Sequence, residues 1–273
     1  MRSRGYTVHL TTGVAAVILG GTALALPAKD VEDTEGLLQK IKARAEEHLT
    51  QLPNYTCHQT INRSIRTRTV FRHIDTVELE VAFVNRQELF SRPGEDKFGE
   101  QPIEKMVSGG TIGNGVLGAH VDSIFSQDGA EFKYAGTGKK DGRRTIRYDL
   151  RVPIEKSTFL VRHNGAVGAA GYEGSVWVEI ETLDLVRVDL KVNRIPAHLG
   201  VRVIEKSLRY RKLKIADTEF NLPDRSELAA LDDMDNFSLN SIKLTQCREF
   251  GANSVVKYGS PTEGTASREG PDR

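Results

Sequence analysis

The chain has 273 residues, 38% of them apolar, enough to bury a substantial core as one large domain or two small ones. Its 38 basic and 37 acidic residues leave a formal net charge of +1. No field of one sign marks it for nucleic acid or for an anionic membrane surface.

At the N-terminus, Arg2 and Arg4 precede a stretch from Val14 to Ala25 that is apolar or small apart from Thr22. Ala23-Leu24-Ala25 fits an A-x-A cleavage site, and Pro27, Lys29 and Asp30 end the run. About a dozen apolar residues fall short of the roughly 20 that a membrane span needs. The pattern predicts a cleavable secretory signal over 1–25, with retention as an uncleaved anchor as the alternative. The mature chain is then expected in the periplasm or secreted, without an integral membrane segment. A single β-rich domain over 26–258 and a disordered tail of Gly, Ser, Thr, Pro and charge over 259–273 complete the expected organisation.

Export bears on the two cysteines, Cys57 and Cys247. An even count in an oxidising compartment favours a disulfide, and two free buried thiols are the alternative. Their separation makes no C-x-x-C, and no H-E-x-x-H occurs, so no metal site is expected.

One long helix comes first. Leu37, Leu38, Ile41, Ala45, His48 and Leu49 keep a helical spacing over 33–51, with Asp33 or Thr34 as cap and Pro53 beyond the end. Strands follow, because the period changes to two. Val77, Leu79, Val81 and Phe83 alternate with Glu78, Glu80 and Ala82. Ile146, Tyr148, Leu150 and Val152 alternate with Arg147, Asp149 and Arg151. Val176, Val178 and Ile180 lead across a short turn to Val186, Val188, Leu190 and Val192. Further strands are expected at 54–63, 66–73, 86–91, 130–136, 157–163, 202–215, 219–229, 237–247 and 252–258, and a short second helix near Leu117 to Phe125. Charges on one face and aliphatics on the other predict antiparallel strands with one wet side, and four-residue links such as Glu181 to Asp184 favour hairpins. Lys139-Lys140 and Arg143-Arg144 flank Asp141-Gly142, which reads as a solvated hairpin tip. The fold class is mainly β (α+β): a large curved antiparallel sheet or open half-barrel covered by the long N-terminal helix and the short second one.

"GTIGNGVLG" contains a G-x-G-x-x-G at Gly113, Gly115 and Gly118. A dinucleotide loop follows a buried strand and opens a helix in a βαβ unit. Here the preceding "EQPIEKMVSGG" is no strand and antiparallel alternation resumes afterwards, so no nucleotide is expected. Gly109, Gly110, Gly113, Gly115 and Gly118 read as a loop that lets the backbone turn, or as a gate over a cavity.

No catalytic motif stands out. There is no G-x-S-x-G elbow, and the seven histidines are scattered. "LDDMDN" lacks the Gly and the terminal Glu of a calcium loop and reads as a polar turn. What remains is the apolar face. Val81, Phe83, Tyr148, Leu150, Trp177, Val188 and Leu190 form either a plain core or the lining of a ligand pocket.

The runs "LPNYTCHQTINR" (52–63), "GGTIGNGVLGAHVDSIFSQDGAEFKYAGTGKKDGRRTIRYDLRV" (109–152), "GYEGSVWVEIETLDLVRVDL" (171–190) and "LTQCREFGANSVVKY" (244–258) resemble uncharacterised exported bacterial proteins, and Cys57 and Cys247 belong to that resemblance. In turn these are distantly similar to the outer-membrane lipoprotein carrier (LolA-like) superfamily, whose strand–turn–strand pattern "VWVEIETLDLVRVDL" matches, with Arg187 where that pattern often has Lys or Arg. The resemblance implies an open antiparallel barrel with helices lidding an apolar cavity. It also implies a non-enzymatic protein that binds a lipid or lipoprotein acyl chain without a cofactor. A chain of greater length, a Cys pair and a Gly-rich loop are departures from a typical carrier. An envelope interaction or sensor module with a filled core is the alternative function, with an envelope protein as partner, and a hydrolase is the third.

Overall fold

The computed structural model describes residues 33–67, 70–95, 97–99, 102–107, 111–113, 116–117, 119–125, 129–163 and 165–250. The expected signal, the strand at 252–258 and the tail lie outside these residues. The chain divides into units Met1–Thr34 and Glu35–Arg273; the elements below belong to the second, whose first helix begins at the boundary residue.

That helix, α1 (Thr34–Gln51), buries Leu38, Ile41, Ala45 and Leu49, one stripe at helical spacing. The strands are β1 (Tyr55–Thr67), β2 (Val70–Val84), β3 (Gln87–Ser91), β4 (Glu131–Lys140), β5 (Arg143–Val152), β6 (Leu160–His163), β7 (Ala166–Ala169), β8 (Gly171–Glu179), β9 (Leu185–Arg194), β10 (Val201–Ile215), β11 (Thr218–Asp232) and β12 (Asn236–Glu249). A second helix, α2 (Ala119–Phe125), precedes β4. Among the described residues ten strands form one antiparallel sheet in the order β3-β2-β1-β12-β11-β10-β9-β8-β5-β4, and β6 and β7 pair separately. The sheet does not close, since β3 and β4 stand at its two edges. The expected α+β class, with an open curved sheet and covering helices, is what the chain adopts.

Local chemistry explains the corners. Asp141 and Gly142 both have positive φ (47° and 80°), the conformation of a tight hairpin turn between β4 and β5. At the "DDMDN" turn, Asp232 Oδ1 accepts from the backbone N–H of Met234 (3.0 Å) and of Asn236 (2.8 Å), so the acidic cluster is turn chemistry. Two expectations need correction. The segments 66–73 and 77–83 are not separate strands, because β2 runs unbroken from Val70 to Val84 in register with β1. Among the described residues the segment 157–163 does not join the main sheet; β6 pairs with β7, a strand the periodicity did not suggest.

Cys57 and Cys247 are joined. Strands β1 and β12 are neighbours, and a register shift falls between Thr56 and His58. On β12, Gln246 takes a positive φ of 52° beside that shift. The irregularity brings the two cysteines opposite one another, with Cα atoms 4.1 Å apart.

Candidate functional site

Parity along the strands decides which side chains α1 covers. Val81, Phe83, Tyr148, Leu150, Val188 and Leu190 are all at most 3% exposed and share one core with Leu38, Ile41, Ala45 and Leu49 of α1. Trp177 does not join them. Its neighbours Val176 and Val178 face the core, so Trp177 lies on the opposite face, paired with Arg147 and Arg187 across its two neighbouring strands. There Lys140 Nζ stands 4.5 Å and the Arg147 guanidinium 5.2 Å from its ring centroid. Arg187 shares that charged face, its Nε donating to Asp189 Oδ1 at 2.6 Å. The assignment of Trp177 to the cavity face is therefore corrected: a large apolar surface outweighed the alternation in the sequence reading, while the fold follows the alternation.

Of the glycine loop, Gly113 is described; a Cβ there would stand 2.9 Å from Leu228 Cδ1, so the backbone lies directly on β11. Gly109, Gly110, Gly115 and Gly118 lie outside the described residues. The described parts of this crossing are tied to the sheet. Thr111 Oγ1 donates to Ser238 Oγ (3.0 Å), and the Thr111 carbonyl accepts from Asn240 Nδ2 (2.9 Å). The Leu117 N–H donates to Glu88 Oε1 (2.6 Å) while its carbonyl accepts from Tyr55 Oη (3.0 Å).

Beneath the C-terminal half of α1 lies a pocket. Its walls are Ile41, Ala45, Leu49 and Leu52 of the helix and the residue after it, Leu117 and Val121 of the crossing, and Leu183, Leu185, Leu222 and Pro223 of the sheet side. The volume is about 30 Å3, room for about two water molecules rather than an aliphatic chain. Pro223 shapes this place. It stands opposite Tyr210 where the β10–β11 register shifts, and it has no N–H for the ladder. The Tyr210 carbonyl accepts instead from Arg143 Nη2 at 2.6 Å.

Polar groups gather around the apolar walls. Asp184, with 2% of its side chain exposed, accepts from Arg44 Nε at 3.0 Å and also binds Lys212 Nζ. Burial pushes the Asp184 carboxyl up, but Lys212 and then Arg44 outweigh it and hold it below the ordinary range. This triple joins α1 to β10 across the pocket mouth. His48, Tyr210 and Asn221 also line the pocket. Their atoms His48 Nε2, Tyr210 Oη and Asn221 Oδ1 are buried without a hydrogen-bond partner, three of the seven such side-chain atoms among the described residues. Burial lowers the His48 pKa and raises that of Tyr210, so both are neutral near pH 7.

Sequence reading had His48 as a packed helix residue and passed over Asp184, Tyr210 and Asn221. Nor did it single out Lys206, which is fully buried between Leu190 and Leu228 on the covered face. Burial lowers its pKa to about 8 against the pull of Glu88. The signal was present: Ile204, Lys206, Leu208 and Tyr210 occupy the inward positions of one alternating strand.

The class the geometry defines is an open antiparallel half-barrel whose apolar face is lidded by a helix. No family model matches the chain, and no curated protein matches it. Among solved structures it is similar to a DUF1329 family protein from Desulfovibrio piger, at 12% identity over 78% of this chain and 92% of that one, with a TM-score of 0.42. It is also similar to a putative outer membrane lipoprotein-sorting protein domain from Vibrio parahaemolyticus (8% identity, 79% and 96% covered, TM-score 0.37). A third is the Mycobacterium tuberculosis lipoprotein LppX (8% identity, 78% and 96% covered, TM-score 0.30).

Proposed function

We propose that the chain is an exported, non-enzymatic protein that binds the acyl chain of a lipid or lipoprotein between α1 and the covered face of its sheet. One observation carries this reading. The pocket under α1 has ten apolar lining residues, and beside the core contacts of the helix above it a three-residue ion cluster ties that helix to the sheet side. A lid of this kind admits an aliphatic chain by lifting, and apolar contact along the chain stabilises the bound state by about 0.8 kcal/mol per buried CH2. The N-terminal signal pattern supports a periplasmic or secreted location, with 26–258 as the working domain.

Native mass spectrometry of protein purified from an oxidising periplasm without detergent tests this. The expected result is an excess of several hundred daltons that organic extraction removes. A bare mass, together with no uptake of an added acyl ligand, refutes it. The alternative, an envelope interaction module, is favoured by a different observation: Val70, Phe71 and Ile74 on β2 are 64%, 53% and 42% exposed.

A further inference from the structure

Three buried side-chain atoms lining one pocket without partners among the described residues are a demand for hydrogen bonds that these residues do not meet, because such a group forfeits its hydration on burial. Their orientation defines what satisfies them. Asn221 Nδ2 donates to the Leu185 carbonyl at 2.9 Å, which leaves Oδ1 as an acceptor toward the pocket. The His48 ring hydrogen-bonds the Asn221 backbone, so a neutral ring that donates through Nδ1 presents Nε2 as a second acceptor. Tyr210 supplies the hydroxyl, able to donate or accept.

The charges around the pocket argue against an ion. Of the lining side chains only Arg44 and Asp184 are charged, and they are bound to each other. Lys212, the other cation at the mouth, is bound to Asp184 too, and Arg44 also donates to Glu47 at 3.0 Å. A carboxylate or ammonium entering here loses its hydration without gaining a free counter-ion. A neutral group that both donates and accepts suits these atoms: a hydroxyl meets Tyr210 Oη and one of the two acceptors, and a carboxamide, with two N–H groups, meets both.

We infer that the pocket is a socket for an uncharged hydrogen-bonding head, a hydroxyl or a carboxamide, at the end of an aliphatic chain. This rests on the acyl-binding reading and narrows it. The head fits the 30 Å3 space, donating to Asn221 Oδ1 or His48 Nε2 and pairing with Tyr210 Oη. The chain then runs outward along Leu49, Leu117 and Leu222 as α1 lifts.

The test compares four probes of one chain length on the full chain by isothermal titration at pH 7.5: dodecanol, dodecanamide, dodecanoate and dodecylammonium. The expected result is that the two neutral probes bind at least tenfold more tightly than either ion. Tyr210→Phe, which removes a hydroxyl without a partner among the described residues and so leaves the fold intact, should weaken the neutral probes about fivefold and leave the ions unchanged. His48→Leu should act in the same direction, with thermal unfolding of both variants checked in parallel. Equal or tighter binding of dodecanoate, or neutral binding that ignores both substitutions, overturns the socket while the acyl-binding reading stands. If none of the four binds, the acyl-binding reading itself has failed and the socket with it.

Discussion

Replacing Asp184 with Asn tests whether the ion cluster at the pocket mouth is what holds α1 down. The change keeps the shape of the side chain and removes the charge that Arg44 and Lys212 share. An exposed ion pair contributes about 0–1 kcal/mol, and stranding one partner of a fully buried pair costs about 3–5 kcal/mol. Here the carboxylate side chain is 2% exposed but Arg44 is 32% and Lys212 41% exposed. Both cations can rehydrate, so a loss of about 2 kcal/mol is expected. If that loss falls on the docking of α1, the undocked population rises about thirtyfold. Hydrogen exchange reads this locally: amides of Thr34–Gln51 should exchange faster by that factor, while those of β5, β8 and β9 keep their protection. The wild type should lose the same protection in acid. Because the folded pKa of Asp184 is depressed, its contribution is complete above the unfolded value of about 3.9 and disappears as pH falls through the folded one. The Asn variant should lack this acid step. Unchanged protection of α1, or an equal loss across the core strands, refutes the idea of a latch. Association of an acyl ligand should also quicken in the variant if lifting of α1 limits entry.

Other perturbations separate structure from binding. The Cys57–Cys247 bond spans 190 positions, and the chain-entropy model gives a loop of that size about 5 kcal/mol. Cys57→Ser should therefore lower stability by that order under oxidising conditions and far less in reductant, and an equal loss in both would show that the thiols act by packing. Trp177→Ala should cost about 1–2 kcal/mol through its two cation contacts, not the 3–5 of a core aromatic. Titration with a neutral acyl probe should be unaffected, since the ring lies on the face away from the pocket. Wild-type stability should rise between about pH 8 and 10, because the buried Lys206 ammonium has its pKa lowered to about 8 and the unfolded chain binds more protons than the folded one there. Lys206→Met should lack this rise. Urea midpoints of both proteins at pH 7 and pH 10 measure that difference.

Much of the fold was legible along the chain because it is built from local periodicities. A period of 3.6 over 33–51 defines the face of α1, and alternation in β5 and β9 names Tyr148, Leu150, Val188 and Leu190 as inward. Asp141-Gly142 specifies its turn by backbone conformation alone. Even the placement of Trp177 was contained in the parity of Val176 and Val178; hydrophobicity pointed the other way, and the pleat decided. The same parity puts Lys206 inside, a charged residue at a position whose neighbours are aliphatic. Local pattern does not reach further than that. Arg44, Asp184 and Lys212 meet only because α1 lies across strands far along the chain, and His48, Tyr210 and Asn221 share a pocket for the same reason. The break in pairing at Pro223 depends on which strand lies beside it. Alternation states which face a residue takes, since that follows from bond geometry within one strand. Which residues become neighbours is settled by the order of ten strands and the seat of one helix on them, and that order is a property of the assembled sheet.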